Sequence, residues 1–271
     1  MSANLTLYIG ASGLKTFAGA MSIVSDNVAN AYTTGYKANH ARFSDMVSGY
    51  MTTQGADAER QGCGSSLMGV ATNFSQGPFL TTESWSDLAI SGKGFFNLKQ
   101  LSSDGSSTVG NTFYSRDGGF HVNKSGALVN NQGYAVLGSD GNMIKVEANP
   151  ATPVYGSFSV TPEGIINGTP LAGGDPVTVG TLRISSFPNQ DALVRQGNNL
   201  FLPSSESGAV IDGTANAGIN GMIIESSLEG SNVDLASEMV DMIIYQSDYN
   251  ANSKSVTTGT NMLDTVINMV R

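Results

Sequence analysis

The sequence predicts an α+β protein in which two terminal helices enclose an all-β middle domain. Three observations predict this fold class. Apolar residues recur every 3.5 residues near both ends of the chain, short apolar runs alternate with glycine-rich turns between them, and no helical period interrupts those runs. We expect the terminal helices to pair as an α-helical coiled-coil stalk. The inserted middle domain is then an antiparallel sandwich or an irregular barrel.

The opening helix is predicted from a heptad stripe that ends near Asn30, where Thr33-Thr34-Gly35 acts as a stop signal. Gly10 occupies the one position of the stripe that carries no apolar side chain. Two terminal helices that pair side by side would carry the rest of the chain as an insertion. The predicted interface residues of this helix are Leu7, Leu14, Phe17, Met21, Val24 and Val28.

The closing helix is predicted over residues 235–271, with Asp234 or Ser231 as its cap and Glu238 in its first turn, where the helix dipole favours an acid. At ~1.5 Å per residue it would be about 55 Å long, which favours partners beyond one small domain. A terminal helix packed only on its own core is the alternative. The stripe is interrupted by Gln246, Ser253 and Thr260. The predicted interface residues are Leu235, Met239, Met242, Tyr249, Val256, Leu263, Ile267 and Val270.

These patterns divide the chain into three parts. Residues 1–34 and 229–271 form a terminal helical polymerisation domain, 35–75 a linker or extended arm rich in Gly, Ser, Thr and Gln, and 76–228 a β-rich outer domain. Strand candidates lie at 88–90, 94–98, 113–116, 128–129, 134–137, 143–146, 158–161, 165–166, 177–185 and 200–202.

The composition excludes several functional classes. Charged residues make up 13% of the chain, against about 25% in ordinary globular proteins. The net charge of −9, without any basic patch, argues against a nucleic-acid partner. The sequence contains no run of about 18 apolar residues, so no segment is predicted to insert into a membrane. The start of the chain does not resemble a cleavable secretory signal, so we expect the protein to stay inside or to leave by another route.

No pattern of an active site, cofactor site or metal site occurs in the sequence. Cys63 is the single cysteine, and His40 and His121 have no acidic or cysteine neighbours at zinc-ligand spacing. We therefore predict no catalytic residue, no cofactor, no metal and no enzymatic activity. Acids outnumber bases after residue 224, and we expect them on a solvated or subunit-facing surface.

Seven short stretches of the chain carry recognisable motifs: residues 7–15, 24–37, 75–77, 87–96, 114–120, 197–201 and 228–235. These motifs resemble those of the bacterial flagellar axial proteins, the rod and hook subunits. They follow the family's order and cover nearly the whole chain. Within the family, the LEGSNVDL sequence of residues 228–235 is most similar to hook proteins, whereas the length of the chain is rod-like.

The resemblance implies a structural subunit that self-assembles into a helical tube. As a hook protein it would be a flexible universal joint that transmits motor torque to the filament; the alternative is a distal rod protein that forms the straight drive shaft of the basal body. The implied partners are other copies of the chain, the adjacent rod, hook and junction proteins, and the type III flagellar export apparatus. The implied location is the basal body or hook, outside the cell. In such proteins the terminal helices often become ordered only on polymerisation.

Two other functions are also compatible with the sequence. The acidic surface and the β-rich middle domain are compatible with a secreted glycan-binding or hydrolytic β domain. The predicted helical stalk is also compatible with an adhesin or a capping protein of a surface filament.

Overall fold

A computed structural model describes residues 2–47, 62–102, 107–146, 154–171 and 173–270. The chain divides into two compact units, each assembled from separated segments. The helical unit comprises Met1–Ala31, Ala38–Asn73 and Val233–Arg271, and the β unit comprises Tyr32–Lys37 and Phe74–Asn232. The predicted α+β class, with a helix at each end and a mostly β middle, is confirmed. The three predicted domain ranges stay predictions.

The helical unit contains α1 (Ser2–Ala29) and α2 (Leu235–Val270). The two helices pack against each other along much of their length. They run antiparallel, because the start of α1 meets the end of α2 at Leu7 and Gly259, and the end of α1 meets the start of α2 at Asn27 and Glu238.

The start of α2 has the predicted cap. The Asp234 carboxylate accepts hydrogen bonds from the Ala236 backbone N–H at 3.0 Å and from the Ser237 hydroxyl at 2.9 Å. Both bonds lower the pKa of Asp234, and the bond from Ser237 has the larger effect. Asp234 therefore satisfies donors that the first helical turn leaves free, as expected of an N-cap acid.

A two-stranded hairpin completes the helical unit. Strand β1 (Asn39–Val47) pairs antiparallel with β2 (Gly62–Thr72), with register shifts at Arg42/Phe43 and Met46/Val47. The predicted arm at 35–75 thus contains two regular strands, and its residues 48–61 lie outside the described residues. The composition gave no strand signal because β2 is rich in glycine and serine, which have low strand propensity, and lacks a clear apolar alternation.

The β unit contains sixteen short strands and one turn of 3-10 helix, Gln190–Ala192, among its described residues. The first eight are β3 (Phe79–Thr81), β4 (Leu88–Ser91), β5 (Phe95–Leu101), β6 (Thr108–Ser115), β7 (Phe120–Val122), β8 (Leu128–Asn130), β9 (Tyr134–Val136) and β10 (Tyr155–Val160). The others are β11 (Ile165–Pro170), β12 (Val177–Thr181), β13 (Arg183–Ser186), β14 (Val194–Gly197), β15 (Leu200–Leu202), β16 (Ile211–Thr214), β17 (Met222–Glu225) and β18 (Ser227–Glu229).

The largest sheet has nine strands. Seven follow the order β14-β15-β6-β5-β9-β8-β7, and β13 joins this path by pairing with β5 and with β16. Smaller sheets are β10-β11-β12, β17-β4 and β18-β3. Every strand pair in these sheets is antiparallel. The predicted antiparallel pairing is therefore confirmed, while the choice between a sandwich and a barrel stays a prediction.

Most predicted strands occur, with two differences. The run 177–185 is divided into β12 and β13, and residues 143–146 form only isolated bridges, Leu137 to Met143 and Ala127 to Lys145. Large apolar side chains fill the core of the β unit. Its main cluster is built around Leu88, Ile90, Phe96, Leu98, Leu128, Ile166, Leu182 and Ile184, all fully buried.

Candidate assembly surface

The predicted interface residues of α2 lie on two different faces. Leu235, Met242, Val256 and Leu263 are half-buried within the helical unit. Met239, Tyr249 and Ile267 are exposed, and the side chain of Val270 lies outside the described residues. As a subunit interface this set stays a prediction, because neither face is shown to contact another copy.

The face of α2 that packs within the helical unit is rotated from the predicted stripe. Its most buried residues are Glu238 and Gly259, and Tyr245 and Asn252 lie between them. The alternate positions of the predicted stripe, including the polar residues Gln246, Ser253 and Thr260, are exposed instead. A stripe spaced by four and three can be drawn along either of two neighbouring faces, and apolarity alone did not distinguish them.

On α1 the predicted stripe is partly buried. Val24 is buried, while Leu7, Leu14, Phe17, Met21 and Val28 are half-buried. The deepest positions carry small or polar side chains instead: Gly10, Gly13, Thr16, Ala20 and Asn27.

Two glycines allow α1 to approach α2 closely. A Cβ atom at Gly10 would lie 2.6 Å from a methyl carbon of Val256, and one at Gly13 would lie 2.5 Å from the side-chain oxygen of Asn252. Both distances are shorter than van der Waals contact, so a larger residue at either position would displace the Val256 or Asn252 side chain or move the helices apart. Gly10, the vacant position of the predicted stripe, is therefore a packing residue.

An aromatic cluster joins three elements of the helical unit. The rings of Phe17 on α1, Phe43 on β1 and Tyr245 on α2 have centroids 5.9 to 6.2 Å apart. Burial raises the pKa of the Tyr245 phenol, and the charges of Asp241, Glu238 and Asp248 raise it further. The cluster fixes the hairpin and both helices at a common point, with tilted rings as aromatic pairs prefer.

The helical unit leaves many large apolar side chains exposed. On α2 they form two groups, separated by a polar middle segment. They are Met239, Val240, Ile243 and Ile244 in the first group and Met262, Val266, Ile267 and Met269 in the second, with exposed fractions from 48% to 81%. Exposed apolar side chains grouped in this way are typical of surfaces that bind a protein partner, a membrane or a ligand.

A buried charge cluster lies inside the β unit, centred on Glu229. Its carboxylate accepts bonds from Lys37 Nζ at 2.6 Å, from the Gly77 N–H at 3.0 Å and, through the other oxygen, from Arg116 Nη1 at 3.2 Å. Its backbone oxygen accepts the Gly35 N–H at 2.8 Å. The three charged side chains are at most 3% exposed. Residues from four separated motifs of the sequence therefore meet at Glu229.

The two cations of the cluster have further acceptors. Lys37 Nζ donates to the Ser75 carbonyl at 2.7 Å, and Arg116 Nη2 donates to the Gly92 carbonyl at 2.7 Å. Burial lowers the pKa of Lys37 and of Arg116, and the nearby Glu229 carboxylate opposes this shift in both. Buried charges persist only when they are paired and hydrogen-bonded. The cluster meets this condition for the Glu229 carboxylate, Lys37 Nζ and both terminal nitrogens of Arg116, while Arg116 Nε is buried without a hydrogen-bond partner.

The expectation that the acids after residue 224 lie on a solvated surface is wrong for two of them. Glu229 is 1% exposed and Glu238 is 5% exposed. The one signal that could have identified Glu229 was its position within the LEGSNV motif, together with the lysine and the arginine that two other motifs contain. Sequence spacing gave no sign that these residues meet, because they are 113 and 192 positions away along the chain.

Among the residues that the structure describes, no group of three or more His, Cys, Asp or Glu side chains could hold a metal ion. Residues 5–29 of α1 are long and apolar enough to cross a membrane by length and composition, with a mean hydropathy of 1.2. Helices that pack inside soluble proteins pass the same test, and the predicted absence of membrane insertion stays a prediction.

Comparison with known proteins identifies the family. Residues 7–37 match the family described as flagella basal body rod protein, and residues 89–168 match the flagellar hook protein FlgE/F/G D1 domain. Residues 224–269 match the flagellar basal body rod FlgEFG protein C-terminal family. The flagellar basal-body rod protein FlgG of Bacillus subtilis is 33% identical over 98% of this chain and 99% of its own length. The chain belongs to the flagellar rod and hook protein family.

Other relatives separate the rod from the hook. The basal-body rod protein FlgG of Agrobacterium fabrum is 32% identical over 96% of this chain and 97% of its own. The hook protein FlgE of Brucella suis is 26% identical, in an alignment extended to 402 residues that covers 97% of this chain and 98% of the relative. The chain is thus a structural subunit of the flagellar axis. Its expected assignment to the hook is not favoured. The rod relatives match at higher identity, and their alignments are about as long as the chain itself.

Proposed function

We propose that this chain is a distal rod subunit, which assembles with other copies into the straight drive shaft of the flagellar basal body. The observation that carries the proposal is the end-to-end match to relatives named basal-body rod protein, at 33% identity over 275 aligned residues. That alignment covers 98% of this chain and 99% of the relative. It favours the rod alternative over the hook resemblance of residues 228–235.

The helical unit supplies the assembly surface in this proposal. Its large exposed apolar side chains on α2 would be covered by helices of neighbouring copies, in coiled-coil pairing around the tube axis. The predicted interface residues Met239 and Ile267 belong to this exposed set. Burial of such side chains from water on assembly stabilises the polymer and offsets the entropy lost when the helices become ordered.

The β unit would form the outer wall of the rod. Many of its large apolar side chains are packed into its own core, while others, such as Leu171 and Ile219, are exposed. The partners in this proposal are other copies, the adjacent rod, hook and junction proteins, and the type III export apparatus. The protein acts without enzymatic activity, cofactor or nucleic acid.

Immunogold electron microscopy of isolated basal bodies tests the assignment. An antibody raised against residues 76–228 should label the straight shaft near the rings. Label along the curved external segment would show instead that the chain is a hook subunit. A strain that lacks the gene for the chain provides the control for antibody specificity.

A pair of matched variants tests the assembly surface. Ile267→Lys places a charge on the exposed apolar group, and Thr265→Lys places the same charge on an exposed polar position two residues away. We expect Ile267→Lys to remain folded as a monomer and to lose polymerisation, measured by sedimentation and negative-stain microscopy. We expect Thr265→Lys to polymerise. Normal polymerisation of Ile267→Lys would exclude this group from the interface.

A further inference from the structure

The side chain of Asn27 makes three hydrogen bonds in the interior of the helical unit. Its amide nitrogen donates to Glu238 Oε1 at 2.9 Å and to the Asn39 carbonyl at 2.7 Å. Its amide oxygen accepts the Asn39 N–H at 2.9 Å. Asn27 is 0% exposed, so water does not compete for these bonds. One amide therefore connects α1 to α2 and to the start of β1.

The partners of Asn27 are themselves buried and fixed. Glu238 is 5% exposed and Asn39 is 3% exposed. The Thr72 hydroxyl, on the partner strand β2, donates to Asn39 Oδ1 at 2.9 Å. Within the described residues, no lysine or arginine forms an ion pair with Glu238. The Asn27 amide is thus the side-chain donor that the structure assigns to the buried Glu238 carboxylate.

The apolar residues of the two helices do not define a unique register. The half-buried apolar residues of α1 repeat about every 3.5 residues, so a slip by one turn, about 5.4 Å, keeps apolar residues of α1 against α2 but brings Leu7 or Leu14 in place of Gly10 against Val256. The same slip would separate Asn27 from Glu238 and bring it to the level of Asp241 or Asp234. The buried Glu238 carboxylate would then lose its side-chain donor, and an unpaired buried charge is costly.

We propose that Asn27 and Glu238 are positioning residues that select the antiparallel register of α1 against α2. A buried polar residue in an otherwise apolar helix seam is known to specify register at some cost in stability. Gly10 and Gly13 add shape to this selection, since a Cβ atom at either position would lie within 2.6 Å of an α2 side chain. The inference concerns contacts within one chain and does not depend on the assignment to the rod.

Distances between spin labels on the two helices test the proposal in the full chain. The labels would be attached at Ser22→Cys on α1 and Ser253→Cys on α2, both exposed, in a Cys63→Ser background. With antiparallel helices these sites are offset by about 15 Å along the helix axis, so a one-turn slip changes the offset by about 5 Å. Labelled chain is diluted with unlabelled chain, so that only distances within one chain are measured.

Three variants distinguish register selection from simple stabilisation. The parent should give one narrow distance. Asn27→Leu and Glu238→Leu should each give a second distance displaced by about 5 Å, whereas Glu238→Gln keeps an acceptor oxygen and should give the parental distance. Asn250→Leu, at an exposed position of α2, is the matched control and should have no effect.

The proposal is overturned by any of three results. These are a broad distance distribution in the parent, a single parental distance in Glu238→Leu, and equal distributions in Glu238→Gln and Glu238→Leu. A role in stability alone would lower the melting temperature of the leucine variants without moving the distance. If Asn27→Leu does not fold, the Glu238 pair of variants still gives a decision.

Discussion

The two units of this chain bury different kinds of residue. The β unit places leucine, isoleucine and phenylalanine side chains at 0% exposure and pairs its interior charges around Glu229. The helical unit buries glycine, threonine, alanine and asparagine on α1 and leaves isoleucine and methionine exposed on α2. The β unit thus packs a large apolar core and pairs its interior charges within one chain, whereas the helical unit leaves large apolar side chains of α2 exposed, and we propose that other copies cover them.

The largest effect is expected from removing the acid at the centre of the buried charge cluster. Glu229→Ala leaves Lys37 and Arg116 buried without their counter-charge, and breaking a buried pair in this way costs about 3–5 kcal/mol. Chemical denaturation, followed by Trp85 fluorescence within the β unit, measures the loss. Glu206→Ala, at an exposed acid of the same unit, should change little. An equally small effect of Glu229→Ala would show that the cluster does not stabilise the β unit.

A pair of truncations compares the two units directly. Leu98→Ala removes a fully buried side chain of the β unit and should lower the free energy of unfolding by about 2–5 kcal/mol. Ile267→Ala, on the exposed surface of α2, should change monomer stability by less than about 0.5 kcal/mol and should weaken polymerisation. Denaturation and sedimentation measure the two effects. The comparison fails if Ile267→Ala destabilises the monomer as much as Leu98→Ala does.

An effect of smaller size is expected at the N-cap of α2. Asp234→Ala removes the acceptor for the Ala236 N–H and the Ser237 hydroxyl, so the first turn of α2 should open more readily. We expect faster amide hydrogen exchange in the first turns of α2 and unchanged exchange in the β unit. Asp234→Asn keeps an acceptor oxygen and is the matched control. Accelerated exchange in the β unit would contradict the separation of the two units.

The smallest expected effect is a pH dependence that arises from Lys37. Burial lowers the pKa of Lys37 in the folded state below its ordinary value of 10.5. Between the lowered pKa of the folded state and the ordinary pKa of the unfolded chain, the unfolded chain binds more protons than the folded chain. The free energy of unfolding therefore rises with pH in this window. The contribution is complete above pH 10.5 and is lost as the pH falls through the lowered pKa. Denaturation of the parent and of Lys37→Met from pH 8 to 10.5 measures it, because other titrating groups cancel in the difference. A difference that falls with rising pH would contradict the direction of the shift.

The periodicity of the sequence was sufficient for the fold class and for most elements, since it depends on side chains that must be buried. The 3.5-residue stripes predicted both terminal helices, and apolar runs between glycine-rich turns predicted most strands of the β unit. Asp234 was predicted as a cap from its place before an apolar stripe, because capping depends on neighbours within one turn. The hairpin of β1 and β2 was missed because its glycine- and serine-rich residues carry little apolar alternation.

The candidate assembly surface could be predicted only in part. Apolarity showed that α2 needs partners, but it could not show which of two overlapping faces packs within the chain. The tertiary structure places Glu238, Tyr245 and Asn252 on that inner face, and so leaves Met239 and Ile267 exposed. The deciding contacts join residues more than 200 positions apart along the chain, such as Asn27 and Glu238.

By itself, the sequence determined that this protein has two terminal helices, a β-rich middle and the motifs of a flagellar axial subunit. Those properties depend on local propensity, on periodicity and on short motifs, which are written along the chain. Only the tertiary structure decided that Glu229 is the centre of a buried charge cluster and that Asn27 and Glu238 meet between the helices. Such contacts depend on which distant segments are brought together in three dimensions, and spacing along the chain carries no record of that.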